Sequence, residues 1–508
     1  MVPASSQEPA FASEPAADSA AGGSLARRLQ QADVPALAVA LLAYAFVHGG
    51  LVLSTAAPGV QIGLIVAIAV AFVASSATRA AVAAGVGVLL GALVEAPLHV
   101  DGPLLVAATA VVVAAAAAFG LRWVVDHGQL RKSLVVAVGV ALIIGNFWLT
   151  TATLDSSQVV FENQTMFQFL TTRPNMNQAL NDQSWYLGIV GYMKDGTPYY
   201  QAFRRAYHEN LIWKSDPPSI LAVREPLLPE FLAHLPGDGR SAIWAMALLV
   251  TLAAGLSTAM ADNVAEPAVR LISMAAVAAF FVNFTTMPFI MGFEPWGGAL
   301  AVVCVGLFAL ASRSTDRTRR RWLMAASALV AVLAVATREL MLFLPAAGFL
   351  AAIFAEPENR RFDLGVWVAA IVGCGAALGA HALAAQRIVT PAHGLSKWLG
   401  LGSIENVALG IANGARYISG AQWLLVALGL LGVVGAALQR RRQYQVFALV
   451  CTVTPLLFFL VAWNRAIDVA TGHNINYWGA IVSPVLFALA VASLGPLLEP
   501  LRLTGPSA

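Results

Sequence analysis

Asp182 stands at the head of a run in which Trp185, Tyr186, Ile189, Val190 and Met193 recur at helical spacing. A carboxylate there can take a proton from an attacking group, and it can equally cap the helix through the open amides of the first turn. Cations able to hold an anionic group such as a phosphate lie further along the chain, at Lys214, Arg224, Arg338, Arg465 and His473. Arg338 is the most informative of them. It belongs to Ala336-Thr337-Arg338-Glu339, between two apolar runs. Ionisable groups in such a place are costly and usually face a cavity or one another, unless the sequence is a solvated turn. Asp155 directly follows an apolar run and is the rival of Asp182 as proton acceptor, or else a cap or surface residue. Glu294, in Gly292-Phe293-Glu294-Pro295-Trp296-Gly297, is either a second catalytic or acceptor-binding group or part of a turn beside an interfacial Trp.

The elements that must position these residues are apolar. The chain has 508 residues, of which 59% are hydrophobic and 11% charged, against about 25% charged in a soluble domain. Its mean hydropathy is +0.74. This is the composition of an all-α polytopic membrane protein. Apolar runs long enough to cross about 30 Å of hydrocarbon fall near 34–54, 59–77, 80–97, 103–125 and 133–153. They recur near 241–260, 267–285, 297–312, 322–337, 340–355, 364–385, 420–438, 445–463 and 477–497. That makes about fourteen spans, with 322–355 readable as a tight hairpin or as one broken helix. Residues 1–30 read as a disordered tail rich in Ala, Ser, Pro and Glu. The region 31–132 holds additional N-terminal spans, 133–497 is the core with the polar segment 154–239 inside it, and 498–508 is a short tail.

Positive charge gives an independent handle on sidedness, because short cytoplasmic loops collect Lys and Arg. With a cytoplasmic N-terminus, the inner loops hold Arg79, then Arg122, Arg131 and Lys132, then Arg270. The run continues with Arg313, Arg317, Arg319, Arg320 and Arg321, then Arg360 and Arg361, then Arg440, Arg441 and Arg442. Both termini are thereby expected in the cytoplasm of a multi-pass protein of a bacterial plasma membrane. The loops 154–239, 286–296, 386–419 and 464–476 share the opposite, extracytoplasmic face. The aromatic helix after Asp182 is expected to lie along that interface. A second interfacial helix is expected in 386–419, which carries His393, Lys397, Trp398 and Glu405.

At these residues the chain resembles the GT-C glycosyltransferases, polytopic enzymes that use sugars linked to a polyprenyl phosphate. They include the protein mannosyltransferases, the aminoarabinose transferases of lipid A and the actinobacterial arabinosyl- and mannosyltransferases. Asp182 with Trp185-Tyr186, Gly196-x-Pro198-Tyr199-Tyr200 and Arg224-x-Pro226-Leu227-Leu228 looks like the family's large first extracytoplasmic loop. Thr337-Arg338-Glu339 resembles its recurrent Thr-Arg-Glu/Pro, and Asn476-Tyr477-Trp478 through Ser483-Pro484 its last helix. The likeness covers about residues 133 to 497. The chain departs from the pattern in having Asp182-Gln183 where the family commonly has two acids, and in placing four spans before the one that leads into the loop.

The resemblance implies transfer of a pentose or hexose, with inversion, from a polyprenyl-phosphate donor to an extracytoplasmic glycan, lipid or protein acceptor. Such a reaction needs a carboxylate to take the acceptor's hydroxyl proton and cations to hold the departing phosphate. Asp182 is the candidate base, with Asp155 and Glu339 behind it. Arg224, Arg338, Arg465, His473, Lys214, Tyr186 and Glu294 are the candidate substrate-binding residues. A composition heavy in Ala, Val and Gly, with Arg over Lys, suits a high-GC bacterium such as an actinobacterium, where arabinose or mannose donors fit. The rival readings are a transporter or flippase of lipid-linked glycans and a polymerase or ligase of such glycans. A transporter predicts acids and lysines deep in several spans, and the apolar runs hold almost none. A ligase predicts that Arg224, Arg465 and His473 matter and Asp182 does not.

Other chemistry is disfavoured by pattern. The eight histidines form no His-x-x-x-His or Glu-x-x-His arrangement, and no Gly-rich phosphate loop is present. No metal site or required cofactor is therefore expected, although a divalent cation held between carboxylates and the donor phosphate stays open. The three cysteines lie inside apolar runs and read as small core residues. The net charge of +3 comes from loop arginines and gives no reason to expect nucleic acid as a partner.

Overall fold

The computed structural model describes residues 182–209, 223–236, 240–264, parts of 270–281, 293–389, 404–412, 420–461 and 473–502. The expected spans before residue 154 and the N-terminal tail lie outside the described residues, so the count of fourteen stays an expectation.

Three short helices come first, α1 (Asp182–Lys194), α2 (Tyr199–Glu209) and α3 (Leu227–His234). The turn between α1 and α2 needs Gly196, whose φ of 86° is a conformation that a Cβ would strain. The bundle then runs α4 (Arg240–Ser257), α5 (Phe293–Arg313), α6 (Arg317–Thr337), a 3-10 turn (Glu339–Leu342) and α7 (Phe343–Ile353). It continues with α8 (Pro357–Ala385), α9 (Ile404–Ala412), α10 (Gly420–Ala437), α11 (Arg442–Val461) and α12 (His473–Arg502). Among the described residues, α5, α6, α8 and α11 are long and apolar enough to cross a membrane. α12 continues through Arg502, past the end of the apolar run at 497.

α5 is the axis of the bundle. It packs against α4, α6 and α12, and its face from Phe293 to Ser312 is almost wholly buried. Small residues permit the close approaches. A Cβ on Gly298 would stand 1.9 Å from the Ala480 carbonyl oxygen of α12, and one on Gly435 of α10 would meet the Leu489 carbonyl oxygen at the same distance. Away from these contacts the core is aromatic. Phe308 stacks on Phe447 at 4.0 Å, with Trp367 and Tyr444 beside them.

The segment 322–355 is a hairpin. α6 begins and α7 ends at one cavity, lined by Arg317 from the first and Phe354 just after the second, so the chain reverses at Arg338–Leu342. The local cause is readable. Arg338 is extended, at φ −150° and ψ 115°, and Pro345 has no amide to offer a helix running back through Met341. The loops at 314–316, 354–356 and 438–441 meet at that same end, where the helix ends beside them carry most of the arginines that the sequence groups together.

α1 departs from expectation. Tyr186, Ile189, Val190 and Tyr192 are buried against protein rather than laid along a lipid surface. The helix is apolar around most of its circumference, so a single membrane-facing stripe would leave the rest unsatisfied. α9 is likewise held to the bundle. Ser483 Oγ of α12 donates to the carbonyl oxygens of Gly410 and Ile411, at 3.2 and 3.0 Å.

Candidate functional site

Four of the charged residues singled out from sequence, Arg224, Glu294, Arg338 and Glu339, converge at the end of the bundle where the hairpin turns. Arg338, 1% exposed, pairs through Nε with Glu294 Oε1 at 3.0 Å and through Nη1 with Glu339 Oε1 at 2.6 Å. The same Glu339 oxygen meets Arg224 Nη1 at 3.3 Å. Arg224 Nε in turn donates to the Tyr186 hydroxyl at 3.1 Å, and the Tyr199 hydroxyl donates to the Arg224 carbonyl oxygen at 2.6 Å. One continuous chain of contacts thus links α1, α2, the segment before α3, the first turn of α5 and the hairpin.

Each partner is set by its element. Glu294 lies in the first turn of α5, where the helix dipole favours an acid, and is not the open turn that the Gly-Phe-Glu-Pro sequence suggests. At Gly297 the hairpin lies close over α5, with the flexible end of Met341, its Cε, 2.5 Å from where a Cβ would stand. Phe293 meets the Tyr186 ring edge-on at 4.7 Å and so orients the hydroxyl that Arg224 uses.

Glu225 gives the cluster a protonation state of its own. It is buried, and burial pushes its carboxyl up to about 8, with the adjacent Glu339 carboxylate adding to the shift. Among the described residues neither Glu225 Oε2 nor Glu339 Oε2 has a hydrogen-bond donor. A proton on Glu225, shared with Glu339, supplies one. With it in place, Arg224 and Arg338 both face the Glu339 carboxylate, which the two arginines hold below the usual range against the effect of its burial, and Arg338 also pairs with Glu294. The accessible edge is the Arg224–Glu339 pair, whose side chains are 22% and 32% exposed.

His381, near the end of α8, ties the loop to the bundle. Its Nε2 lies 3.0 Å from the Val223 carbonyl oxygen, which can only accept, so Nε2 carries the proton. In the neutral ring Nδ1 then accepts from the Tyr200 hydroxyl at 3.0 Å. Residues 223–225 are therefore held from both sides.

Of the candidates, Tyr186, Arg224, Glu294, Arg338 and Glu339 are brought together. Asp182 is the first residue of α1, four residues before Tyr186 and so on the same stripe of that helix; its side chain lies outside the described residues. His473 begins α12, with its side chain likewise outside, while Asp155, Lys214 and Arg465 lie wholly outside. So do His393, Lys397, Trp398 and the Glu405 side chain. Sequence reasoning missed Glu225, Tyr199, Tyr200 and His381 as site residues. A signal existed for two of them. Glu225 directly follows Arg224, and His381 is the lone histidine of the apolar run 364–385, where a polar ring needs partners.

Among the described residues no group of three or more His, Cys, Asp and Glu side chains is placed to hold a metal ion. No family model matches the chain, and no curated protein matches it. Two solved structures match, both of the Archaeoglobus fulgidus oligosaccharyltransferase. One is the apo form and the other is tethered by a disulfide bond to an acceptor peptide containing the NVT sequon. Each is 12% identical over 72% of this chain, with TM-scores of 0.39 and 0.41. The match spans about half the length of those chains, 51% and 50%. A likeness at that level bears on neither the site nor its chemistry.

Proposed function

We propose that this protein is a GT-C-type membrane glycosyltransferase that moves a pentose or hexose from a polyprenyl-phosphate carrier to an extracytoplasmic glycan, lipid or protein acceptor, with inversion. The observation that carries the reading is the Tyr186–Arg224–Glu339–Arg338–Glu294 chain of contacts. It joins the helix headed by Asp182 to a cationic edge at one end of an apolar bundle.

In this reading Asp182 accepts the acceptor's hydroxyl proton as the oxygen bonds to the anomeric carbon. The phosphate leaves from the opposite face with the electron pair of the broken C–O bond. Arg224, at the accessible edge, neutralises the charge that develops on it. Arg338 is already paired with two carboxylates, so its part is to position: it fixes Glu339, and Glu339 fixes Arg224. A divalent cation between donor phosphate and carboxylates is compatible with this scheme but not required by it.

The test is transfer from a radiolabelled polyprenyl-phosphate sugar in membranes bearing wild type, Asp182→Asn or Asp155→Asn at equal protein level. We expect Asp182→Asn to lose at least about a hundredfold and Asp155→Asn to retain activity. Full activity in Asp182→Asn overturns the assignment, and loss in Asp155→Asn alone transfers the base to that residue.

A further inference from the structure

We propose that His381 is a positioning residue for the transfer reaction: with Tyr199 it fixes the two peptide planes on either side of Arg224, and through them the direction from which the guanidinium meets the departing phosphate. The assignment rests on the transfer reaction proposed above and extends it to a residue that acts through the backbone.

The tip of Arg224 is held by Tyr186 and Glu339, at 3.1 and 3.3 Å. Its root is held separately. The Val223 carbonyl oxygen accepts from His381 Nε2 at 3.0 Å, and the Arg224 carbonyl oxygen accepts from the Tyr199 hydroxyl at 2.6 Å. A peptide unit is planar, so setting the direction of its carbonyl also sets the N–H at its other end. The two units that meet at the Arg224 Cα are therefore fixed by donors from two elements, α8 and α2. Residues 223–226 precede α3 and belong to no helix, so no helical ladder can fix those carbonyls instead.

Tyr200 keeps the imidazole in the state this work needs. Its ring lies against His381, with centroids 5.9 Å apart and planes 29° from parallel, and its hydroxyl is 3.0 Å from Nδ1. A hydrogen bond donated to Nδ1 leaves the proton on Nε2, where the Val223 carbonyl requires it. Tyr199 and Tyr200 are adjacent in the first turn of α2 and meet edge-on at 5.0 Å. Both constraints on Arg224 thus share one anchor.

A packing role explains this histidine poorly. It stands in the apolar run of α8, where a polar ring is costly, and Gly379, Ala380 and Leu383 around it are exposed. An apolar side chain would hold α8 against the loop equally well but would give the carbonyl no direction. Direction matters at Arg224, because misplacing a group that stabilises the transition state by about 1 Å costs up to about a hundredfold in rate.

The test is donor kinetics in membranes with a radiolabelled polyprenyl-phosphate sugar, for wild type, His381→Leu, His381→Gln and Tyr200→Phe, each repeated in an Arg224→Ala background. Thermal unfolding in detergent on the same preparations verifies that each variant is folded. His381→Leu is expected to lower kcat by about tenfold to a hundredfold and to change the donor KM by less than about twofold, since the phosphate charge develops only in the transition state. Glutamine, whose amide can donate to Val223 and accept from Tyr200, recovers most of the loss. Tyr200→Phe keeps the ring stack, removes only the hydroxyl and costs about twofold to tenfold. It carries the same test if the leucine variant fails to fold. In the Arg224→Ala background none of these changes has a further effect, whereas a merely structural histidine subtracts equally from both backgrounds. An inactive wild type overturns the transfer reading and the positioning role with it. With an active wild type, full kcat in both His381→Leu and Tyr200→Phe, or the same loss in both backgrounds, overturns the positioning role alone.

Discussion

At one end of the bundle Arg320 meets Asp363 through both terminal nitrogens, at 3.0 and 2.6 Å, and Gln443 donates to the same carboxylate at 2.7 Å. At the other end a single oxygen of Glu339 serves two guanidiniums, its second oxygen has no donor among the described residues, and its neighbour Glu225 keeps its proton near neutral pH. The first arrangement is closed and its charges answer one another. The second is less complete, with Glu339 Oε2 lacking a donor among the described residues and the Arg224–Glu339 pair part-exposed. Identical residue types thus serve a structural clamp at one pole and a candidate site at the other. Satisfaction of hydrogen-bonding capacity separates them better than burial does.

The comparison can be broken by exchanging insults between the poles. Arg224→Ala should lower sugar transfer by about a hundredfold to a thousandfold, as loss of a charge-stabilising donor does, while the unfolding midpoint moves little because the pair is part-exposed. Transfer assays beside thermal unfolding in detergent check both halves. Asp363→Ala should do the reverse. It strands a buried guanidinium and should cost about 3–5 kcal/mol of stability, with the activity of the remaining folded protein unchanged.

A subtler contrast lies in pH. Glu225 titrates near 8 in the folded protein against a reference value of 4.5. Between those values the folded chain keeps a proton that the unfolded chain has lost. Stability should therefore fall as pH rises from about 4.5 toward 8 and level off above it, by at most about 1.4 kcal/mol per pH unit. Glu225→Gln should flatten that slope in unfolding midpoints taken across the window. The smallest effect belongs to Asp316, whose side chain caps α6 through the amides of Thr318 and Arg319 at 2.8 and 3.1 Å. Asp316→Ala should cost about 1 kcal/mol and leave transfer untouched, a result that sharpens the separation of the two poles.

What was legible in the sequence followed from solvent preference. Apolar runs announce helices, and the arginines of 313–321, 360–361 and 440–442 announce loops that gather at one end. The Thr-Arg-Glu motif pointed to Arg338 because a charge between apolar runs needs a reason. Partner choice was not legible. Nothing in the spacing says that Glu294 reaches Arg338 across 44 positions, or that His381 reaches back to Val223. Those contacts are fixed by how α5, α6 and α8 pack. Glu225 escaped for another reason: its carboxyl is pushed up by burial first and then by Glu339, far away in the chain, and neither is visible in local spacing. α1 was misjudged because a helix apolar on most sides looks membrane-bound when read alone, and only its neighbours show that the apolar surface faces protein.

The contact between Gly298 and the Ala480 carbonyl has a mechanical meaning. It lies one turn along α5 from Glu294 and admits nothing larger than hydrogen. Any sliding of α5 against α12 would grind backbone on backbone, so Glu294 stands at a fixed height. Through Arg338 that height is passed to the hairpin tip, and through Glu339 to Arg224. The charges are thus pinned to a seam where backbone lies against backbone. If the proposed transfer holds, room for its lipid-linked donor would have to come from the small helices α1, α2 and α3 and not from a shift of α5 against α12.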